Sequence, residues 1–490
     1  MHSQNLNLTD FTIQKDETLV SVLQKIELNE NGTIFVLDNL KVIGVLSDGD
    51  IRRSLINGVS LDEKSGTICK KNFVYALVTE SEEEIQSKFN ESIKLIPLLE
   101  SDGNIIKVLH YMEKNLTQLA EPNLGKQETK NILECMNSGM ISSLGKYVYE
   151  FESLFNEFIG SKRSFAVANG TQALALALSI NGIGFGDEVI IPDLTFAATA
   201  NAIIQVGATP VIIDVDIHDW NLDISLIESA VTNRTKAIIP VHLYGLPCSM
   251  SEIMKLAKEH NLIVIEDAAE ALGSKYGSTN AGALGDFSIF SFYANKIITT
   301  GEGGMLCVNK SFDYEQIIKM RSHGMSLTHK YWHEEWGTNV RLTNLQASIG
   351  VAQMHKLDQF IMKKKMIHER YLDLFQELKL NEMINYRRTE DKKTFNSHWL
   401  SCFHVDAVIY QDLVKFLNHN LIETRPIFFP LHMQPAFNKY KSINHGKSWN
   451  SKIINEGGIC LPSGTTLTDF KQEKICQLIH EFFSKGSFNG

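Results

Sequence analysis

The sequence predicts an α/β protein: a mainly parallel sheet with helices on both faces, a small α+β region after it, and a separate two-copy unit before it. Three observations carry this. Strand-like runs at Glu188 to Ile191, Thr209 to Ile213, Lys236 to Val241 and Leu262 to Ile265 alternate with helical stretches such as Ser249 to His260, the pattern of parallel strands joined by crossover helices. Beyond about residue 366 the alternation gives way to a shorter mixed region containing the strand-like run His398 to Val405. Ahead of the sheet, a strand-turn-strand signal occurs twice within the first 116 residues.

In chain order, Thr33 to Leu37 and Val42 to Ser47 are short β-type runs joined by a polar turn, and Asp50 to Ile56 begins a helix. A weaker copy follows: Lys94 to Leu99, a turn at Asp102-Gly103, then Ile105 to Leu109. Polar residues over 117–125 read as a linker. Lys130 to Gly139 reads as a helix that stops at its glycine, opening a large domain over 126–365, with a small domain over 366–490.

The chemistry centres on Lys296, which lies between the apolar run Phe287-Ser288-Ile289-Phe290-Ser291 and the turn Thr299-Thr300-Gly301-Glu302-Gly303-Gly304. An amine carried from a strand end into a dry pocket has its pKa lowered and becomes nucleophilic toward an aldehyde. Such an amine suits the lysine that binds pyridoxal phosphate. Two upstream segments match that cofactor's other needs. Asn169-Gly170-Thr171 opens the apolar helix Gln172 to Ser179, and helix N-termini present N–H groups to a phosphate. Asp267 ends a buried-strand run, where open α/β sheets build their sites, and its carboxylate suits a protonated pyridine nitrogen.

The ordered motifs Asn-Gly-Thr, Leu194-Thr195-Phe196, Glu266-Asp267-Ala268-Ala269-Glu270, the Ser291 to Lys296 segment and the glycine turn resemble the DegT/DnrJ/EryC1/StrS sugar aminotransferases over about residues 122–490. That resemblance implies the pyridoxal-phosphate-dependent transferase fold of type I. It further implies that Phe196 stacks on the cofactor ring, that Glu270 lies beside its phenolic oxygen, and that Ser291 with the Gly170 and Thr171 amides holds the phosphate. Asn339 would reach the phosphate from a neighbouring subunit, making a homodimer or higher oligomer part of the site. A lone aromatic such as Phe196 is ordinarily core, but its place at a strand end directly after Pro192 to Thr195 reverses that preference; Asn339 in a loop is ordinarily a turn residue, and Glu270 is equally a helix-start carboxylate. Within the family, His242 to Met250 and Tyr331 to Glu334 are most similar to the GDP-perosamine synthase branch. Trp332, Arg425 and His432 are the candidate substrate contacts.

The two-copy unit resembles a pair of cystathionine-β-synthase-type (CBS) domains, modules that bind adenine nucleotides. The resemblance places Ser47 near a phosphate and Asp50 on ribose hydroxyls, with His110 and Glu113 at the corresponding places of the second copy. Ser47 and Asp50 read equally well as the cap of the following helix.

Composition narrows the classes. A chain of 490 residues, 43% hydrophobic, is long enough for more than one core. A net charge of -10 argues against nonspecific binding to nucleic acid or an anionic membrane. No apolar run reaches spanning length, and Met-His-Ser-Gln-Asn-Leu lacks the regions of a signal peptide, so a cytoplasmic location is expected. Seven scattered cysteines without a Cys-x-x-Cys suit reduced thiols and suggest no metal site. The expected activity is transfer of an amino group from glutamate to C4 of a nucleotide-linked 4-keto-6-deoxy sugar. The alternatives are a UDP-linked 2-acetamido-4-keto sugar as acceptor, or a nucleotide-sensing regulator with an inert aminotransferase-like domain. A related branch that removes a sugar 3-hydroxyl carries histidine at the lysine position, so Lys296 argues against it.

Overall fold

The computed structural model describes residues 8–485 apart from 30, 82, 83, 86, 87, 90–92, 111–115, 388–392 and 447, so Glu113 lies outside the described residues. The chain divides into two compact units, Met1–Asn115 and Leu116–Gly490.

In the first unit one strand arrangement occurs twice. Thr12–Gln14 pairs parallel with Thr33–Asp38, which pairs antiparallel with Lys41–Ser47. Ala76–Leu77 pairs parallel with Leu95–Leu99, which pairs antiparallel with Ile105–His110. Phe11, Phe35 and Leu37 from the first copy pack with Leu95, Leu99, Ile105 and Val108 from the second, giving the copies a shared core. The helix Asp48–Ile56 starts two residues earlier than the apolar pattern indicates, because Ser47 and Asp50 form a reciprocal cap. The Asp50 N–H donates to Ser47 Oγ at 3.2 Å, and the Asp50 carboxylate accepts from the Ser47 hydroxyl at 2.7 Å.

The second unit is built on an eight-stranded sheet. Its order is Ser442–Ile443, Thr209–Ile213, Glu188–Pro192, Thr235–Ile238, Ile263–Asp267, Phe287–Ser291, Gly304–Val308 and Arg163–Val167. The pairings are parallel as far as Phe287–Ser291 and antiparallel for the last two strands. The runs read from sequence are therefore the sheet's central strands, buried on both faces as parallel strands are. One apolar layer, with Leu174, Ile203 and Ile265, packs the helices Gly170–Ile180 and Ala198–Gln205 against the sheet. Another uses Phe151, Phe155, Phe290 and Phe292 in edge and tilted ring contacts.

Three stretches differ from the sequence reading. Residues 117–125 are built into the second unit: Thr117 bridges to Ile422, Leu119 is fully buried, and the Leu119 N–H donates to Glu423 Oε2 at 2.9 Å. The first helix of this unit spans Lys126–Ser138, starting early because Glu128 accepts the Gly125 N–H at 2.9 Å, and stopping at left-handed Gly139 as read. In the C-terminal region only Ser401–His404 of the run 398–405 is strand. Ahead of it Asn396 Oδ1 accepts the His398 N–H at 2.7 Å, a side-chain turn that holds His398 at a φ of 50°. This region is α+β: Ser401–His404, Gly458–Leu461 and Arg425–Pro426 pair antiparallel, with Phe403, Tyr371, Leu413 and Ile475 in its core. Among the described residues no helix is long and apolar enough to cross a membrane.

Candidate active site

The parallel pairings bring the C-terminal ends of Glu188–Pro192, Ile263–Asp267 and Phe287–Ser291 to one edge of the sheet. Sites in open α/β sheets form along that edge. Asp267 closes its strand there and is buried. Its Oδ2 accepts the Thr199 hydroxyl at 2.8 Å and its Oδ1 accepts the Ala269 N–H at 3.2 Å. Thr199 and Thr195 hydroxyls lie 2.8 Å apart, and because Thr199 gives its single proton to Asp267, Thr195 is the donor to Thr199. Burial raises the Asp267 pKa, opposed by the bonds from Thr199 and Ala269 and by the charge of Lys296. A carboxylate in that condition is stabilised by a cation beside it.

Lys296 stands five residues past the strand Phe287–Ser291, its side chain only 13% exposed. Its Nζ lies 3.7 Å from Glu270 Oε1 and 3.6 Å from the centre of the Trp399 ring. Burial pushes the amine's pKa down, while Glu270 and Asp267 pull it back up. Glu270 is not at a helix start. It sits in the turn after Asp267, with Oε2 accepting the Tyr244 N–H at 2.7 Å, and burial lifts its pKa to about 7 against the pull of Lys296.

Beside this trio lies an anion-ready corner. Asn169 caps the helix Gly170–Ile180 through the Gln172 N–H at 2.9 Å, and the first-turn N–H groups of Gly170 and Thr171 have no acceptor within the helix. Ser291 adjoins them: a Cβ on Gly170 would lie 3.2 Å from its Cβ. Gly304 passes so close that a Cβ there would stand 2.5 Å from the Asn169 carbonyl carbon, so this crossing requires glycine. Phe196 is no core residue. It is 62% exposed, following the end of Glu188–Pro192, with Phe428 at 6.0 Å behind it.

The remaining candidates stand differently. Arg425 is exposed, donates to Glu423 Oε1 at 3.1 Å, and its charge is felt at Lys296. His432 proves to be a clamp: its Nδ1 lies 2.6 Å from Asp193 Oδ2, its N–H donates to Asp193 Oδ1 at 2.8 Å, and its ring stacks on Trp449. Trp332 is exposed in a turn closed by the Ser326 N–H, and Asn339 Oδ1 accepts the Arg341 Nε–H at 3.0 Å. Neither joins Lys296 within one chain among the described contacts. In the first unit the Asp50 carboxylate also holds Arg53 at 2.5 Å and Lys70 at 2.6 Å. Burial favours its protonation, but the bonds from Lys70, Ser47 and Arg53 outweigh that and keep its pKa at about 2.

The residues from 122 to 480 match the DegT/DnrJ/EryC1/StrS aminotransferase family. The chain belongs to this family. It is 42% identical over 365 residues to the GDP-perosamine synthase of Escherichia coli O157:H7, covering 74% of this chain and 98% of that relative. It is 41% identical over 362 residues to the GDP-perosamine synthase of Caulobacter vibrioides, covering 73% and 95%. The Streptococcus pneumoniae protein Spr1654, solved in its PLP form, superposes with a TM-score of 0.69 at 26% identity, covering 75% of this chain and 98% of that one. As a member of the family, this protein is a pyridoxal-phosphate-dependent aminotransferase. The site fits that cofactor on its own terms: a glycine-lined helix start for the phosphate, an exposed Phe196 face for the ring, a buried carboxylate that gains from a protonated nitrogen, and a buried amine.

Reading along the sequence missed Trp399, Tyr244 and Thr199. Thr199 carried the only visible signal, since its spacing of four from Thr195 puts both hydroxyls on one face of a turn.

Proposed function

We propose that this aminotransferase moves the amino group of glutamate to C4 of a nucleotide-linked 4-keto-6-deoxy sugar, GDP-4-keto-6-deoxy-mannose being the acceptor, in the cytoplasm and for a surface polysaccharide. The observation that supports the acceptor best is the 42% identity to a GDP-perosamine synthase across 98% of that relative's length. When bound, pyridoxal phosphate supplies an aldehyde for amine exchange and a ring that withdraws electrons from the substrate carbon. On this reading Lys296 Nζ carries the proton to and from the α-carbon of the donor, and Asp267 keeps the pyridine nitrogen protonated. Gly170, Thr171 and Ser291 hold the phosphate, Phe196 covers the ring, and Glu270 lies beside the phenolic oxygen. Arg425 meets an anionic group of the donor or sugar nucleotide, while Trp332 and the Nε2 edge of His432 face the sugar. Asn339 completes the phosphate site across a homodimer. One pocket serves both half-reactions, which predicts ping-pong kinetics.

The test is to offer the purified protein GDP-4-keto-6-deoxy-mannose and a UDP-linked 2-acetamido-4-keto sugar with glutamate, following 2-oxoglutarate release. Amination of the GDP sugar is expected; amination of the UDP sugar alone would move the protein to the other substrate class, and turnover of neither would favour the regulatory reading.

The first unit we read as a CBS pair that senses a nucleotide and tunes the enzyme. Support comes from its duplicated strand arrangement and from Arg53 and Lys70, cations flanking Asp50 that suit phosphates. Calorimetric titration of the full chain with AMP and ATP should show binding that Asp50→Asn weakens at least ~10-fold, as for loss of a charged hydrogen-bond partner. Absence of binding, or binding indifferent to Asp50→Asn, would make the unit an assembly module.

A further inference from the structure

We infer that Trp399 is the positioning residue of Lys296, gripping it at both ends: the indole face is the platform on which the free amine rests, and the indole N–H fixes the main chain just before it. The inference rests on Lys296 as the reacting lysine. Lys296 Nζ lies 3.6 Å from the ring centre, well inside the range at which a ring face attracts an ammonium. Trp399 Nε1–H donates to the carbonyl of Asn295, the residue before the lysine, at 2.8 Å.

The tryptophan is itself held on every side. It is buried, and its carbonyl accepts from Lys364 Nζ at 2.8 Å, a lysine only 3% exposed. Tyr244 stacks on Trp399 with ring centres 5.9 Å apart and planes 11° from parallel, and Phe428 stacks on the far side of Tyr244 at 5.2 Å. The Phe428 N–H donates to the Tyr244 hydroxyl at 3.0 Å. This ladder reaches Phe196, so the platform under the amine and the face proposed for the cofactor ring share one rigid support.

Such a platform has a specific use. An amine that alternates between bonded and free must, when free, stay near its carbon without being captured by a carboxylate. Glu270 stands 3.7 Å from Nζ. A π face holds the protonated amine by a broad attraction with no directed acceptor, leaving its protons available. With the ring in place the ion pair to Glu270 is held at 3.7 Å; without it the amine would close further on that carboxylate and be slower to return.

The test uses the full-length protein. In its cofactor-free form, acylation of Lys296 by an amine-reactive ester is followed by peptide mass spectrometry against exposed Lys255 as internal reference. Trp399→Leu should change the relative rate at Lys296 at least ~10-fold, whereas Trp399→Phe, which keeps a ring, should stay within ~3-fold. In the holoenzyme Trp399→Phe should lower kcat with little change in KM, reflecting the lost bond to Asn295. A Leu variant that labels at the parent rate, or a Phe variant that behaves as the Leu variant does, overturns the proposal. Should the Leu variant not fold, the parent decides. The Lys296 ε-methylene resonance, assigned by its loss in Lys296→Ala, should lie upfield through the indole ring current, and an ordinary lysine position overturns the proposal. Cofactor fixed to a different lysine by borohydride would remove the proposed role of Lys296 while leaving this resonance unaffected, so the two failures are distinguishable.

Discussion

Lys296→Ala is expected to abolish turnover, to at least ~10⁴-fold below the parent, since on the proposed reading the variant loses both the covalent anchor and the proton carrier. The site contains other titratable groups, but none is arranged to take over. Glu270 is near enough to matter, yet its Oε2 is engaged by the Tyr244 N–H, and a carboxyl group cannot take the place of an amine nucleophile. Lys364 is buried behind Trp399 and directed to that residue's carbonyl. The cofactor should still bind the variant, because the helix start at Gly170, the Ser291 hydroxyl and the Asp267 carboxylate are untouched. Borohydride treatment of the parent should fix the cofactor to Lys296 and to no other lysine. Labelling elsewhere, or residual turnover within ~100-fold of the parent, would defeat the assignment.

What could be read along the chain follows from the range of the physics involved. Asp267 and Gly170 were legible because they sit at a strand end and a helix start, and Lys296 because it lies between an apolar strand and a glycine-rich turn, positions that announce themselves through local hydrophobic patterning. The Ser47 and Asp50 cap was legible for the same reason, being a contact across three residues. Trp399 was not, since it lies 103 residues from Lys296 and a single aromatic in an apolar run reads as core. The His432 clamp spans 239 residues to Asp193, so the contact that orients this histidine through its Nδ1 is one no local pattern reveals. Residues 117–125 look like a linker because they are polar and carry proline and glycine; their pairing with Ile422 and Glu423 arises only once the small domain has folded. Phe196 shows the value of position over type: a lone aromatic suggests core, but its place just past a strand end points outward, and the chain leaves the sheet at Pro192 with the ring exposed.

Asp267→Asn should slow transamination by at least ~100-fold, comparable to the loss of one strong electrostatic stabiliser from a dry site. The substitution is nearly isosteric, so the argument turns on charge. In the parent, burial disfavours the Asp267 carboxylate, and the Thr199 hydroxyl and Ala269 N–H oppose that and fix its orientation. A cation at the pyridine nitrogen is then stabilised by a negative charge that was oriented in advance. An asparagine offers one oxygen and one NH₂ group: with the oxygen on the Ala269 N–H, the NH₂ donates to Thr199 Oγ, whose own proton turns to Thr195, so both contacts persist while the charge is lost. Stability on denaturant unfolding should therefore stay close to that of the parent. The kinetic loss should be separable from it. Thr199→Val removes the hydrogen bond to Asp267 while keeping the charge, and is expected to cost far less activity than Asp267→Asn. If Asp267→Asn reacts at near-parent rates, or if Thr199→Val is equally damaging, the charge of Asp267 is not what sustains the electron-withdrawing ring, and another acid must hold that position.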